Sequence, residues 1–102
     1  MKRFNHNDYS DNTCMHCITE EQAVRFLEYL HEVGLTWSSG QSYAVKTRYD
    51  SYGDQTVYYF NRGTFGQLRH ISDDDIVLRF EDFDWGDGIP EEIAVSFDSI
   101  FR

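Results

Sequence analysis

The fold class is decided by residues 19–34, which read TEEQAVRFLEYLHEVG. Thr19 is a favoured N-cap residue, Gln22 completes a capping box with it, and Gly34 supplies the left-handed residue that ends many helices. The apolar residues at helical spacing are Ala23, Phe26, Leu27, Leu30 and Val33. Together these signals predict one amphipathic helix over residues 19–33.

The pattern after the helix changes from helical spacing to the alternation of a β-sheet. Residues 42–49 show the two-residue period of a strand, and residues 56–60 are a second candidate strand after a short polar turn. Two adjacent strands joined by such a turn predict a hairpin. Residues 64–70 are ambiguous, and further strands are predicted at residues 76–80 and 93–97. The predicted fold is therefore α+β, with one amphipathic helix packed on a four- or five-stranded antiparallel sheet.

A chain of 102 residues is long enough for one modest core, so we expect a single domain over residues 1–102. An N-terminal arm is predicted over residues 1–17, followed by the helix and by a sheet with an acidic segment over residues 42–102. No apolar run approaches the roughly 20 residues that span a bilayer. A net charge of -9 repels nucleic acid and anionic lipid, so we expect neither nucleic acid nor membrane as a direct partner. We also expect a monomer.

The negative charge is concentrated in the last third of the chain. Between Asp73 and Arg102 there are ten acidic residues and two arginines, whereas residues 1–72 hold eight acidic and seven basic residues. Aromatic residues are interleaved with these acids, unlike in acidic segments that stay disordered. The segment predicts an ordered binding surface with Trp85 or Phe83 as its apolar anchor. The predicted partner-binding residues are Asp73, Asp74, Asp75, Glu81, Asp82, Phe83, Asp84, Trp85, Asp87, Glu91 and Glu92.

Two other interpretations of the acidic segment stay open. The carboxylates are also what a solvated face needs to keep a small domain soluble, with Trp85 capping the core. A calcium loop is disfavoured, because Gly86 stands where the third acidic ligand is expected.

The motif CMHC, which begins at Cys14 and ends at Cys17, is the most specific local feature. A Cys-x2-Cys pair has the spacing of half a tetrahedral zinc site, and two histidines complete a Cys2His2 set. His31 lies too far along the helix axis, and His16, between the cysteines, would need a cramped loop, so His6 and His70 are the expected further ligands. The motif predicts zinc that pins the N-terminal arm to the core, and a pair of free thiols is the alternative.

The chain resembles the small phage-encoded anti-CRISPR proteins that inhibit the type II RNA-guided nuclease. The likeness lies in its size, its acidity, its single capped helix and the runs Asp73-Asp-Asp75 and Glu81-Asp-Phe-Asp-Trp85. Residues 26–40, FLEYLHEVGLTWSSG, also look like a segment common in uncharacterised phage proteins. The resemblance implies a non-enzymatic inhibitor, in the cytoplasm of the infected bacterial host, that binds a basic surface of the nuclease and blocks target-DNA loading or cleavage.

Three alternatives to that function stay open. The partner of an acidic surface can be another basic nucleic-acid-binding protein. A zinc-stabilised phage structural or regulatory adaptor would use its acidity for solubility alone, and a small hydrolase would use two of the clustered acids. The sequence contains no phosphate-binding glycine loop, catalytic triad context or nucleophile elbow, which favours a binding protein over an enzyme.

Overall fold

The computed structural model describes residues 2–45 and 47–85, and these residues form one α-helix and two β-sheets. The elements in chain order are β1 (Lys2–Arg3), β2 (Thr13–His16), α1 (Glu20–Glu32), β3 (Thr56–Tyr59), β4 (Thr64–Gln67), β5 (Ile76–Arg79) and β6 (Phe83–Asp84). The predicted α+β class is confirmed. No helix in this described part of the chain has the length and apolar character needed to cross a membrane.

Helix α1 begins and ends where its capping residues predict. The backbone N–H of Gln22 donates to the Thr19 hydroxyl at 3.1 Å, and the Gln22 side chain accepts from the N–H of Ile18 at 3.0 Å. The first bond is the N-cap half of a capping box, whereas in the second Gln22 accepts from the residue before the N-cap instead of from Thr19 itself. Gly34 has a φ of 88°, and its N–H bonds back to the His31 carbonyl. The helix predicted over residues 19–33 is therefore confirmed.

The larger sheet has the strand order β4-β3-β2-β5 and is mixed. Strand β3 runs antiparallel to both β2 and β4, whereas β5 runs parallel to β2. The prediction of an antiparallel sheet is thus only partly right. A parallel pair needs a long crossover connection, and here the chain between β2 and β5 contains the helix and the β3–β4 hairpin.

The N-terminal segment, predicted as an extended or looped arm over residues 1–17, takes part in both sheets through its described residues. Strand β2 lies between β3 and β5, and the side chains of Thr13, Cys14 and Met15 are fully buried. Because a central strand is covered on both faces, it lacks the alternation by which half-buried strands are recognised. Strand β1 pairs parallel with β6 in a second, two-stranded sheet. The segment is therefore held by strand pairing at both of its ends.

The prediction of a strand over residues 42–49 is also wrong. Among its described residues, 42–45 and 47–49, none belongs to a strand: Ser42 makes only an isolated bridge to Thr36, and a 3-10 turn begins at Tyr49. The Tyr43 side chain is buried and its hydroxyl donates to the Phe60 carbonyl at 3.1 Å, whereas Val45 is 63% exposed. Arg48 then takes a left-handed conformation with a φ of 60°, which no regular strand contains.

Two of the remaining strand predictions hold within a residue or two. The strands predicted at residues 56–60 and 76–80 correspond to β3 and β5. The ambiguous residues 64–70 form β4 followed by a 3-10 turn. The strand predicted at residues 93–97 lies outside the described residues.

The core is built around aromatic side chains on the helix-facing side of the sheet. Phe4, from the segment between β1 and β2, is 6% exposed and lies at the centre of this cluster. Its ring centroid lies 5.1–5.6 Å from those of Tyr9, Phe26, Tyr29, Phe60, Phe83 and Trp85. A smaller cluster of Cys14, Val57 and Tyr59 lies against Leu68, Ile71 and Val77. The sheet is therefore covered on both faces, and Val77, Phe83 and Trp85 attach the described part of the acidic segment to the core.

Candidate functional site

Strand β5 divides the acidic segment into two clusters. Asp73, Asp74 and Asp75 form the upstream cluster before the strand, and Glu81, Asp82 and Asp84 form the downstream cluster after it. Four residues of extended chain separate the two by about 13 Å at about 3.3 Å per residue. Strand β5 also lies at one edge of the four-stranded sheet that the described residues form. The acids thus lie at the two ends of an edge strand.

The upstream cluster is fixed to the sheet through Asp75. The Tyr59 hydroxyl donates to the Asp75 carboxylate at 2.6 Å, and the backbone N–H of Ser72 donates to the same oxygen at 3.0 Å. These bonds lower the pKa of Asp75, that from Tyr59 having the larger effect. Asp73 and Asp74 are exposed, and their carboxylates make no hydrogen bond or ion pair to residues 2–45 and 47–85. Asp75 therefore positions the turn, and its two neighbours present free carboxylates.

The downstream cluster is more closely neutralised. Asp82 forms an ion pair with Arg79 at 3.2 Å, but both side chains are more than half exposed, so the pair contributes little stability. Glu81 is exposed, and Asp84 is exposed on β6. The predicted residues Asp87, Glu91 and Glu92 lie outside the described residues.

Basic side chains beside the downstream cluster were missed in the sequence. Strand pairing sets Lys2 opposite Phe83 and Arg3 opposite Asp84, and the Arg25 guanidinium donates to the Trp85 carbonyl at 2.6 Å. The available signal was the pair Lys2-Arg3 at the start of a strongly acidic chain. Lys2 pairs with Asp8 at 3.8 Å, whereas Arg3 and Arg25 line one pocket with Asp84 and reduce the field there. Asp73 and Asp74 make no ion pair with the described residues.

The two predicted aromatic anchors belong mainly to the core. Phe83 is 9% exposed and packs in the main cluster, so in the folded protein its ring is not available as a surface anchor. Trp85 is half-buried, its ring stacks on Phe80 with centroids 4.6 Å apart, and its Nε1–H donates to the Phe80 carbonyl at 2.8 Å. This geometry favours the alternative in which Trp85 caps the core.

Cys14 and Cys17 lie in different core clusters. Cys14 packs with Val57 and Tyr59, whereas Cys17 packs in the helix-facing cluster. Two residues three positions apart along an extended chain point to opposite faces of a sheet, so the pair does not form the knuckle that zinc needs.

The four predicted zinc ligands are not brought together. Among residues 2–45 and 47–85, no group of three or more His, Cys, Asp or Glu side chains is placed to hold a metal ion. The His6 ring is bonded to the Asn61 side chain at 3.2 Å, and His70 is exposed in the turn after β4. The geometry therefore does not support the predicted zinc site. Strand pairing attaches the N-terminal segment to the core instead.

Both thiols are held in their neutral form by the core. Burial raises the pKa of Cys14 to about 12, with a further contribution from the charge of Asp75. Burial likewise raises the pKa of Cys17, with Glu81 adding to the effect. The thiolate is the species that attacks electrophiles and binds metals, so these side chains behave as small apolar core residues.

Native protein is expected to leave both cysteines unmodified by iodoacetamide at pH 8, and urea is expected to expose both. The physical reason is burial, so an excess of EDTA should not change the protection. Mass spectrometry of the alkylated protein measures the result. Rapid alkylation after EDTA treatment alone would show instead that a bound metal protects the thiols.

Comparison of the chain with protein-family models, with curated proteins and with solved structures gives no significant match in any of the three.

Proposed function

We propose that this protein is a non-enzymatic inhibitor that binds a basic surface of a type II CRISPR RNA-guided nuclease and blocks target-DNA loading or cleavage. The observation that carries the proposal is the pair of carboxylate clusters at the two ends of β5, an edge strand among the described residues, in a chain of net charge -9. The resemblance to small phage-encoded inhibitors supports the choice of nuclease among the basic partners.

The hydrogen bonds and strand pairing that fix the backbone of both clusters support a binding role. Asp75 ties the upstream turn to Tyr59, and the Asn12 side-chain amide donates to the Asp74 carbonyl in the same turn. The downstream cluster is held by the β1–β6 pairing. Carboxylates on a fixed backbone lose less conformational entropy on binding than carboxylates on a mobile segment, so more of their interaction energy remains as affinity.

The chemistry of the expected partner supports the same conclusion. An RNA-guided nuclease holds its guide and target in a positively charged channel and reads a short duplex motif with arginines. Carboxylates form short, charge-assisted hydrogen bonds with such arginines and lysines, and complementary charge also accelerates the encounter. An acidic protein bound there excludes target DNA by occupying its place.

The double variant Asp73→Lys/Asp74→Lys is expected to weaken nuclease binding at least about tenfold, because it turns two attractive contacts into repulsive ones. The measurement is biolayer interferometry against the purified nuclease. Wild-type affinity should fall steeply as ionic strength rises, because exposed charges are screened.

The matched control is Asp50→Lys/Asp54→Lys, which changes the net charge equally at two exposed positions outside both clusters. We expect the control to retain affinity within about threefold, a difference of less than about 1 kcal/mol. Equal losses in the two double variants would show that the net charge alone, and not the upstream cluster, determines binding.

A further inference from the structure

A concave pocket of about 370 Å³ lies where three segments meet, and none of the acidic clusters contributes to it. Its walls come from residues 37–39 after the helix, from Arg48, and from residues 63–65 at the start of β4. The volume falls in the range of pockets that bind small molecules.

Arg48, which lies in this wall, has an unfavourable backbone conformation. Its φ of 60° and ψ of 10° are left-handed, and it is the one non-glycine residue with positive φ in the described part of the chain. Such a conformation persists only where the surroundings impose it, and it occurs often at functional sites. Here the Tyr58 hydroxyl donates to the Thr47 carbonyl at 2.6 Å, and the Ser51 N–H donates to the Arg48 carbonyl at 3.3 Å.

The guanidinium of Arg48 has no anionic partner within residues 2–45 and 47–85. Its central carbon lies 5.7 Å from the centroid of the Trp37 ring, and it makes no hydrogen bond or ion pair to those residues. A guanidinium carries five N–H donors in a planar fork that matches a carboxylate or a phosphate. Trp37, which is 5% exposed, also has a buried Nε1–H that finds no acceptor among the described residues. Two residues that line the pocket therefore carry donor groups without an acceptor among the described residues, the indole N–H of Trp37 being the buried one.

The shape of the pocket is set by a close backbone contact. The N–H of Ser38 donates to the Gly63 carbonyl at 2.9 Å, and a Cβ at Gly63 would come within 2.5 Å of the Ser38 nitrogen. Phe65 forms an aromatic wall, with its ring centroid 6.0 Å from Trp37 and 5.8 Å from Tyr52. The site thus combines a close backbone contact, an aromatic wall and a guanidinium that has no anionic partner among residues 2–45 and 47–85.

We propose that this pocket binds a small molecule that carries a phosphate or carboxylate group on an aromatic body. The anionic group bonds to the Arg48 guanidinium, and the body packs against Phe65. A chain of net charge -9 repels anions in general, so an arginine without an anionic partner in the described part of the chain gives this pocket a local selectivity for them. The proposal is independent of the nuclease and of the two acidic clusters.

The test is a titration of ¹⁵N-labelled protein with adenosine monophosphate, with inorganic phosphate and with benzoate, followed by NMR. The indole N–H resonance of Trp37 should shift with a dissociation constant of about 1 mM or tighter for at least one probe. The Trp85 indole, which is bonded to Phe80, should not shift and serves as the internal reference. A larger effect of the nucleotide than of phosphate shows that the aromatic wall contributes, and an equal effect assigns the binding to the anion alone. No shift of Trp37 with any probe would overturn the proposal.

The decisive variant is Arg48→Gly, which removes the guanidinium while placing at this position the residue that best tolerates a φ of 60°. Binding should weaken at least tenfold, whereas Arg69→Ala, an equal charge change at an exposed residue outside the pocket, should leave it unchanged. Equal weakening in both variants would contradict a specific site. If the NMR spectrum of Arg48→Gly shows loss of the fold, Arg48→Asn gives the same comparison, because asparagine also tolerates this conformation.

Discussion

Gly63→Ala is expected to destabilise the protein by roughly 3–4 kcal/mol, which combines a steric clash with a left-handed backbone. The new Cβ would lie 2.5 Å from the Ser38 nitrogen and 2.9 Å from the Trp37 carbonyl carbon, and both are backbone atoms that side-chain rotation cannot move. The φ of 78° adds a conformational cost that glycine does not have. Urea unfolding at 25 °C, followed by circular dichroism, measures the loss.

Gly34→Ala is the matched control for Gly63→Ala. Gly34 has a similar φ of 88°, but a Cβ there would meet no atom within 4 Å. Its loss should therefore be about 1 kcal/mol, the conformational part alone. Equal losses in the two variants would mean that the loop after the helix does not press against the β3–β4 turn.

Phe4→Ala is expected to cost about 3–5 kcal/mol, the range for removing a buried aromatic ring. Phe4 is 6% exposed at the centre of the aromatic cluster, so its removal opens a cavity among rings from the helix, the sheet and the acidic end. Phe4→Leu, which keeps much of the volume, should cost clearly less. Chemical unfolding again gives the free energies.

Val45→Ala serves as the control for Phe4→Ala. Val45 is 63% exposed, so truncating it should change the free energy of unfolding by less than about 0.5 kcal/mol. A loss below about 1 kcal/mol for Phe4→Ala would contradict the placement of the N-terminal segment in the core.

The helix could be predicted because its signals are local. Thr19, Gln22 and Gly34 act within a few residues of the backbone groups that they satisfy, and the apolar spacing is contained in one stretch. Strand β3 was predicted for a similar reason, since its β-branched and aromatic residues are contiguous. For these two elements, propensity and tertiary packing favour the same structure.

The central position of β2 could not be predicted, because it depends on partners distant in sequence. Cys14 pairs with Val77, 63 positions later, and Met15 pairs with Tyr58. The polar residues before β2 indicate a loop, and nothing local shows that Thr13–His16 is covered on both faces. The error over residues 42–49 has a similar origin, since the burial of Tyr43 and the bond from its hydroxyl to the Phe60 carbonyl depend on residues outside the segment.

The candidate site was predicted in its charge but not in its geometry. Counting acids located the segment, yet only the fold shows that β5 divides it and that Asp75 is bonded to Tyr59. An aromatic residue beside acids has the same sequence pattern in an interface anchor and in a core residue. Phe83 was therefore predicted as an anchor, although it lies in the core. Arg48 carries no sequence signal, since its importance rests on a backbone conformation and on an absent partner within the described residues.

Inhibition of DNA cleavage by a purified type II RNA-guided nuclease is the most direct test of the proposed function. The nuclease is incubated with guide RNA and with increasing amounts of this protein, and labelled target DNA is added last. We expect cleavage to stop at micromolar protein, the Asp73→Lys/Asp74→Lys variant to inhibit at least about tenfold less well, and added salt to relieve the inhibition. Unchanged cleavage at micromolar wild-type protein would contradict the proposal.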